Sequence, residues 1–287
     1  MSAQTQSTAS IVFAAGKGSR MTGYAGNKTL LPLVPGESLY AGRHPMLLEV
    51  LKNLPPGPAG IVVHHCADEV RLATRHLPVT YCHQPVTNGT GGALLAARGF
   101  LESVESEAVV ITMGDVPLIR KDTYHRLVEQ LNSRPMALLA FAPSDRAQYG
   151  MLEVDGDRVL RIVEWKYWKD FPEEKQGRLE FCNAGVYSVQ RRLLLPCLDR
   201  LEAMPHQVLK QRGDQWVEIQ EYFLTDLVEI MGRDGMAVGM VVVDENEVIG
   251  VDTPESLKRV QAAFAQRKGG EVPSTTTRNS TDIYLTK

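Results

Sequence analysis

Short apolar runs alternate with helix-like stretches through the first half of this 287-residue chain, and this rhythm limits the possible folds. The apolar runs lie at residues 10–15, 61–63, 79–81, 108–113 and 136–141. The helix-like stretches between them lie at residues 67–76, 91–101 and 121–132. Such alternation implies right-handed βαβ units around a parallel sheet that is covered on both faces. We therefore expect an α/β fold, with a Rossmann-like mixed, mostly parallel sheet flanked by helices.

The pattern changes after about residue 144. Apolar runs at residues 151–154, 159–163 and 181–189 are joined by turns such as Asp155-Gly156-Asp157, which predicts a small antiparallel insertion covering the active-site edge. Helices are expected at residues 221–231 and 253–267. We thus predict a flexible N-terminus (1–9) and one domain (10–267), with a nucleotide-binding part to about 144 and a sugar-binding part over about 145–250. The Ser/Thr/Gly-rich residues 268–287 are expected to be a disordered tail.

Charge and composition exclude several classes of protein. The net charge of −3 and a pI near 6.2 do not suggest a nucleic-acid surface. No apolar run approaches the roughly 20 residues of a membrane helix, and the polar N-terminus lacks the apolar core of a secretory signal. The four cysteines lie far apart, as expected of reduced thiols in a cytoplasmic protein. We expect small-molecule partners and a cytoplasmic location, while the oligomeric state stays open.

A glycine-rich basic loop, Gly16-Lys17-Gly18-Ser19-Arg20, follows the first apolar run, and Lys28 precedes the next one. Glycines allow close approach of the backbone to a ligand, and the cations supply charge for phosphate. The loop is not a P-loop, since its last glycine is followed by Ser-Arg, and it lacks the third glycine of a dinucleotide fingerprint. A strand, a basic loop and a downstream lysine suit a triphosphate.

Two carboxylates are candidate metal ligands. Asp115 follows the apolar run 108–113, at the sheet edge where ligands bind in such folds. Mg²⁺ prefers one or two protein carboxylates together with substrate phosphates. Asp252 precedes a predicted helix, so it could equally be a helix cap. Between these segments, Gln84 precedes the glycine-rich stretch 89–92, and its amide can both donate to and accept from a pyrimidine edge.

The loop and Lys28, the Gly114-Asp115-Val116-Pro117-Leu118 segment and the Gln84–Gly89 spacing together resemble the sugar-1-phosphate nucleotidyltransferases. Within that family, the chain is most similar to the uridylyltransferase domain of bacterial N-acetylglucosamine-1-phosphate uridylyltransferase. The resemblance covers about residues 10–265 and implies the nucleotide-diphospho-sugar transferase fold. It implies catalytic roles for Arg20, Lys28 and Asp115, and Mg²⁺ held by Asp115 and Asp252. The nucleotide contacts it implies are Phe13, Ala14, Ala15, Gly16, Gly18, Lys28, Gln84, Gly89, Thr90, Met113 and Gly114.

On the sugar side the resemblance implies contacts from Gly150, Glu164, Asn183 and Thr225. This sequence departs from the family pattern at several positions: aspartate stands at 252 instead of asparagine, and methionine and phenylalanine replace tyrosines at Met113 and Phe223. Residues 35–44 are longer than the equivalent loop. No hexapeptide-repeat acetyltransferase domain follows, so acetyl transfer is not expected. The departures bear on the identity of the sugar more than on the reaction.

The predicted reaction is Mg²⁺-dependent transfer of a nucleotidyl group from an NTP, most simply UTP, to a sugar-1-phosphate such as N-acetylglucosamine-1-phosphate. Two alternatives remain open on the sequence. One is thymidylyl or cytidylyl transfer to another sugar phosphate. The other is a non-catalytic sensor of sugar nucleotides on the same scaffold, although Arg20, Lys28 and Asp115 are all present.

Overall fold

The computed structural model describes residues 7–212 and 215–270. The strands in chain order are β1 (Thr8–Ala14), β2 (Pro32–Pro35), β3 (Gly42–Pro45), β4 (Ala59–Val63), β5 (Val79–His83), β6 (Ala108–Met113), β7 (Met136–Phe141), β8 (Met151–Asp155), β9 (Arg158–Val163), β10 (Cys182–Gln190), β11 (His206–Arg212), β12 (Gln215–Glu221) and β13 (Val238–Val242). The helices are α1 (Met46–Asn53), α2 (Ala67–Thr74), α3 (Gly89–Ala96), α4 (Arg98–Ser103), α5 (Lys121–Glu129), α6 (Trp165–Trp168), α7 (Glu173–Gly177), α8 (Arg191–Glu202), α9 (Asp226–Arg233) and α10 (Pro254–Gly270). Short 3-10 turns lie at Lys28–Leu30, Gln130–Asn132 and Glu245–Glu247.

A nine-stranded mixed sheet, in the order β5-β4-β1-β6-β10-β7-β13-β9-β8, forms the body of the protein. β1 pairs in parallel with β4 and β6, β4 with β5, and β7 with β13. β10 is antiparallel to both of its neighbours, β6 and β7. The predicted α/β class, with a mixed sheet flanked by helices, is confirmed.

The central strand β1 shows why these apolar runs form a doubly covered sheet. All seven of its residues are buried, and alternate side chains enter different cores because successive residues of a strand face opposite ways. Ile11 and Phe13 belong to one hydrophobic cluster, while Val12 and Ala14 belong to another on the opposite face. Burial on both faces therefore accounts for the continuously apolar sequence of the run.

The predicted antiparallel strands exist, but they extend the main sheet and do not form a separate layer. β8 and β9 lie at one edge, and β10 is inserted between β6 and β7. Val186 and Val189 of β10 are fully buried, so this strand needs a neighbour on each side and cover on both faces. The sheet is consequently continuous across residue 144, where the sequence predicts the boundary between the nucleotide-binding and sugar-binding parts.

Several predicted boundaries need correction. Thr8 and Ala9, assigned to the flexible N-terminus, are buried residues of β1. The helix expected from Glu221 begins at Asp226, because the residues up to Glu221 pair with β11 in a hairpin. The last helix continues to Gly270, past the predicted domain end. The rest of the predicted tail, residues 271–287, and residues 1–6 lie outside the described part of the chain.

Within the described residues, no helix is both long enough and apolar enough to cross a membrane.

Candidate active site

A cavity of about 1020 Å³ opens at the carboxyl ends of the parallel strands. The segments after β1, β4, β5 and β6 all reach this edge, where ligands bind in open α/β sheets. The cavity brings together eight of the predicted catalytic and nucleotide-binding residues: Phe13, Ala15, Gly16, Lys28, Gln84, Gly89, Thr90 and Asp115. The linear sequence spreads these residues over about a hundred positions, and the parallel sheet collects them.

The centre of the site is the Lys28 ammonium group, which lies between two carboxylates. Its Nζ is 2.5 Å from Asp115 Oδ2 and 2.6 Å from Asp252 Oδ1. Arg20 reaches the other oxygen of Asp252 at 2.9 Å, with an Arg20 side chain that is 63% exposed. Lys28 itself is buried. The structure therefore unites the predicted lysine with both predicted metal ligands.

The charged groups in this cluster shift one another's pKa values. Burial acts to lower the pKa of Lys28, but the charges and hydrogen bonds of Asp115 and Asp252 outweigh it and raise the pKa above its usual value. Burial alone would raise the pKa of Asp252, but the positive charges of Lys28 and Arg20 outweigh it and lower this pKa below its usual value. The ammonium and the Asp252 carboxylate are therefore both ionised near neutral pH.

Asp252 is free of the capping role that the sequence also allowed. The residue that caps the start of α10 is Thr253, whose Oγ1 accepts a hydrogen bond from the Ser256 backbone N–H at 3.2 Å. The Asp252 N–H donates to Ser256 Oγ (2.9 Å), and the Val251 N–H donates to the Asp115 carbonyl (3.0 Å). These bonds hold the two carboxylate-bearing segments together and direct the Asp252 side chain toward Lys28.

The two carboxylates fit a divalent cation. Both carboxylates lie within 2.6 Å of the Lys28 Nζ, so their oxygens are close enough to each other to share an ion. Among the described residues no cluster of three or more His, Cys, Asp or Glu side chains has metal-binding geometry. Two carboxylates completed by substrate phosphates and water are the ligand set that Mg²⁺ prefers, whereas zinc sites use three or four protein ligands.

Asn27 positions Lys28, and the sequence analysis missed it. Its fully buried side chain donates to the Ala14 and His65 carbonyls, both at 2.8 Å, and accepts from the Thr29 N–H at 3.0 Å. Asn27 thus caps the short 3-10 turn that carries Lys28 and ties it to the ends of β1 and β4. An asparagine directly before the lysine, at a break between apolar runs, was the available signal.

Gln84 also lines this cavity and is only 3% exposed. Its amide nitrogen donates to Asn88 Oδ1 at 3.1 Å and to the Gly89 carbonyl at 3.3 Å. These bonds occupy both amide hydrogens and orient the group. The carboxamide oxygen is left to accept a hydrogen bond from a ligand.

The glycines of α3 serve close packing against the chain around Tyr222. Gly91 N–H donates to the Tyr222 carbonyl at 2.8 Å, and Tyr222 N–H donates to the Asn88 carbonyl at 2.9 Å. A side-chain carbon added at Gly89, which has a φ of +94°, would lie 2.3 Å from that same Tyr222 oxygen. The glycines therefore allow close packing of the start of α3 against Tyr222, and Gly89 and Thr90 also line the cavity.

A second cavity, of about 580 Å³, adjoins the first and shares Gly89, Thr90 and Glu221 with it. It contains three of the four predicted sugar-binding residues: Glu164, Asn183 and Thr225. The fourth, Gly150, lies beside them, because its carbonyl accepts from the Asn183 N–H at 2.9 Å. An added carbon at Gly150 would be 3.6 Å from Glu164 Oε2.

Hydrogen bonds orient the polar groups of this second cavity. Thr225 Oγ1 donates to Glu164 Oε1 at 3.1 Å, and Asn183 Nδ2 donates to the Tyr187 hydroxyl at 2.7 Å. Burial raises the pKa of Glu164, against the hydrogen bond from Thr225, which lowers it. The cavity therefore presents a carboxylate, an amide and a hydroxyl in fixed positions, as a polyhydroxylated ligand requires.

The predicted metal ligand Asp252 and five of the predicted catalytic and nucleotide-binding residues do not line the first cavity. The five are Ala14, Gly18, Arg20, Met113 and Gly114. The side chain of Ala14 packs in the core on the other face of β1. Gly18, with a φ of +60°, lies against Lys28, where an added carbon would be 3.1 Å from the lysine Cβ. Met113 packs against the two main cores, and the Gly114 N–H donates to the Phe13 carbonyl at 2.9 Å. Ala14, Met113 and Gly114 therefore belong to the packing beneath the site, and Gly18 contacts Lys28.

Comparison with known proteins assigns the family. The profile of the MobA-like NTP transferase domain matches residues 10–214, which is most of the chain. The chain belongs to the MobA-like NTP transferase family. This membership confirms the resemblance found in the sequence and the prediction of a nucleotidyltransferase enzyme.

Individual sequence relatives of this MobA-like transferase support the same family assignment. The bifunctional protein GlmU of Ruegeria pomeroyi is 34% identical over 272 residues, which are 93% of this chain and 54% of the relative. GlmU of Jannaschia sp. is 30% identical over 288 residues, 98% of this chain and 58% of that protein. The chain thus spans about half the length of the curated relatives it matches.

Solved structures confirm the nucleotide-diphospho-sugar transferase fold. A uridine diphosphate N-acetylglucosamine pyrophosphorylase from Trypanosoma brucei superposes with a TM-score of 0.69 at 14% identity, covering 90% of this chain and 65% of that one. A putative glucose-1-phosphate thymidylyltransferase from Bacillus anthracis gives a TM-score of 0.65 at 18% identity, covering 90% and 95%.

Proposed function

We propose that this MobA-like transferase catalyses Mg²⁺-dependent transfer of a uridylyl group from UTP to a sugar-1-phosphate, with N-acetylglucosamine-1-phosphate as the leading acceptor. The observation that carries the proposal is the Lys28 ammonium between the carboxylates of Asp115 and Asp252, in the cavity that also holds Gln84. The names of the GlmU relatives and of the pyrophosphorylase neighbour support the same chemistry.

In the proposed reaction, an oxygen of the sugar phosphate attacks the α-phosphorus of UTP. A new P–O bond forms, the bond between the α- and β-phosphates breaks, and pyrophosphate leaves. The attacking phosphate is already largely ionised near neutral pH, with a second pKa of about 6. No general base is required, so the enzyme acts through positioning and charge neutralisation.

The residues around Lys28 would supply that neutralisation. Mg²⁺ bound by Asp115 and Asp252 would offset phosphate charge as a Lewis acid. Lys28 would stabilise the negative charge that develops at the α-phosphate. Arg20, at the exposed rim of the cluster, would hold the departing pyrophosphate as a bidentate partner.

Gln84 would contact the edge of the base. Both of its amide hydrogens are engaged within the protein, so the group offered to a base is an acceptor. Uracil and thymine can donate to it from N3–H, and cytosine can donate to it from its N4 amino group. Thymidylyl and cytidylyl transfer therefore both remain alternatives.

The test is pyrophosphate release in the presence of Mg²⁺, with UTP, dTTP, CTP, ATP and GTP each paired with several sugar-1-phosphates. We expect the highest kcat/KM with UTP and N-acetylglucosamine-1-phosphate, and no release after chelation of the metal. Release with dTTP alone would move the assignment to thymidylyl transfer. Nucleotide binding without pyrophosphate release from any pair would support the sensor instead.

A further inference from the structure

The β11–β12 hairpin stands between the two cavities. Its strands pair in register from His206 opposite Glu221 to Arg212 opposite Gln215. Residues directly opposite each other share a face of the hairpin, so the pair Val208–Ile219 lies on the same face as Glu221. Trp216 lies on the other face.

The inner face of the hairpin borders both cavities. Ile219 and Glu221 line the nucleotide cavity, and Val208 and Glu221 line the sugar cavity, to which Leu209 contributes from the other face. Trp216 on the outer face borders neither and is 67% exposed. The cross-strand pair Val208–Ile219 therefore contributes one aliphatic side chain to each of the two cavities.

Both strands are fixed at the base of the hairpin. On the β12 side, Tyr222 exchanges backbone hydrogen bonds with Asn88 and Gly91, in the same segment that carries Gly89 and Thr90. On the β11 side, His206 Nε2 lies 2.8 Å from Asp226 Oδ2, and its ring is 4.4 Å from the ring of Phe223. Each strand is thereby tied to the cavity it borders.

The anchors locate the two aliphatic side chains. Ile219 is three residues from Tyr222, or about 10 Å along a strand, and Tyr222 is bonded to the segment that carries Gly89 and Thr90 in the nucleotide cavity. Val208 is two residues from His206, or about 7 Å. His206 pairs with Asp226, the neighbour of Thr225 in the sugar cavity.

We propose that this hairpin sets the size limit for both substrates, with Ile219 restricting the base and Val208 restricting the sugar. This inference rests on the proposed function, because it takes the first cavity as the nucleotide site and the second as the sugar site. Apolar contacts of this kind change discrimination by roughly tenfold or more per side chain.

The test measures steady-state kinetics of Ile219→Ala and Val208→Ala, with Trp216→Ala as the matched control on the outer face. We expect Ile219→Ala to raise the KM for UTP about tenfold and to raise the kcat/KM for ATP and GTP relative to UTP, leaving the KM for the sugar phosphate unchanged. Val208→Ala should raise the KM for the sugar phosphate about tenfold and spare that for UTP. Ile219→Leu should restore the preference for UTP.

The inference is overturned if either alanine variant keeps wild-type KM values, if each variant raises both KM values alike, or if Trp216→Ala has the same effect. A wild-type protein without pyrophosphate release would refute the proposed function alone. In that case calorimetry of UTP binding decides: a Kd about tenfold weaker in Ile219→Ala supports the hairpin's role, and an unchanged Kd overturns it. A wild-type protein that binds no UTP overturns both.

Discussion

At the scale of single residues, the site depends on charges that the fold forces together. Lys28 is buried between two carboxylates, and a buried charge is tolerated only when it is paired. The sequence identified all three side chains, Asp252 chiefly through family resemblance. Their contact could not be read from local pattern, because 137 positions separate Asp115 from Asp252 and only tertiary structure brings them together.

Removing the central charge tests its catalytic role. We expect Lys28→Ala and Asp115→Ala to lower the kcat for pyrophosphate release on the order of 100-fold or more, which is the scale of one lost electrostatic contact in a transition state. Lys52→Ala, which removes a lysine with a 66% exposed side chain that pairs with Glu49, is the control. Turnover close to that of the wild type in either site variant would contradict the assignment.

Glu164 links the sugar cavity to the pH dependence of stability. Burial raises the pKa of Glu164, despite the opposing hydrogen bond from Thr225. Its contribution to stability is therefore fully present below the unfolded pKa, near 4.5, and is lost as the pH rises through the raised folded value. Glutamine has no proton to lose, so Glu164→Gln should gain stability relative to wild type between about pH 4.5 and pH 7.5.

Urea unfolding of both proteins at the two pH values measures this difference. Glu102→Gln, at an exposed glutamate on α4, is the control and should show no such trend. The stability advantage of Glu164→Gln over wild type should therefore grow as the pH rises. If the advantage stays constant or shrinks, burial does not dominate the pKa of this carboxyl group.

At the scale of elements, the buried strands were predictable and the exposed ones were not. β1, β4, β6 and β7 are continuous apolar runs because both of their faces are covered. β12, in contrast, is mostly exposed and rich in Gln and Glu, so it lacks the apolar signal and is not predicted as a strand. Only its last residue, Glu221, falls within a predicted helix. The hairpin that borders both cavities was thus invisible to hydrophobic pattern.

Helix glycines offer a paired test of close packing. Gly91→Ala would place a carbon 2.7 Å from the Tyr222 backbone, and we expect a loss of roughly 1–3 kcal/mol in the free energy of unfolding. Gly99→Ala, in α4, meets nothing within 4 Å and should stabilise by about 0.5–1 kcal/mol, the difference in helix propensity. Chemical denaturation measures both. Equal effects of the two substitutions would refute the packing role of Gly91.

At the scale of the whole molecule, β10 joins the parts that the sequence separated near residue 144. This strand pairs with β6 on one side and β7 on the other. The antiparallel direction of residues 181–189 was predictable from the change of rhythm, but their place in the middle of the sheet was not. Strand order depends on long-range pairing, which a single sequence does not display.

A shared sheet predicts cooperative unfolding. The three tryptophans, Trp165, Trp168 and Trp216, all lie after residue 144, so their fluorescence reports on the second part alone, whereas far-UV circular dichroism reports on the entire chain. We expect the two urea transitions to coincide, as in a two-state domain. Separate midpoints would show that the two parts unfold independently.

The positions of the Lys28 cluster in the sequence also determine when the site can form during translation. Its lysine and arginine come from the loop after the first strand, and its second carboxylate comes from the segment before the last helix. A nascent chain can form β1, β4 and β6 and the wall of the nucleotide cleft long before Asp252 is translated. Until then Lys28 faces a single carboxylate. The proposed catalytic centre is therefore completed only after the strands of the main sheet have been translated.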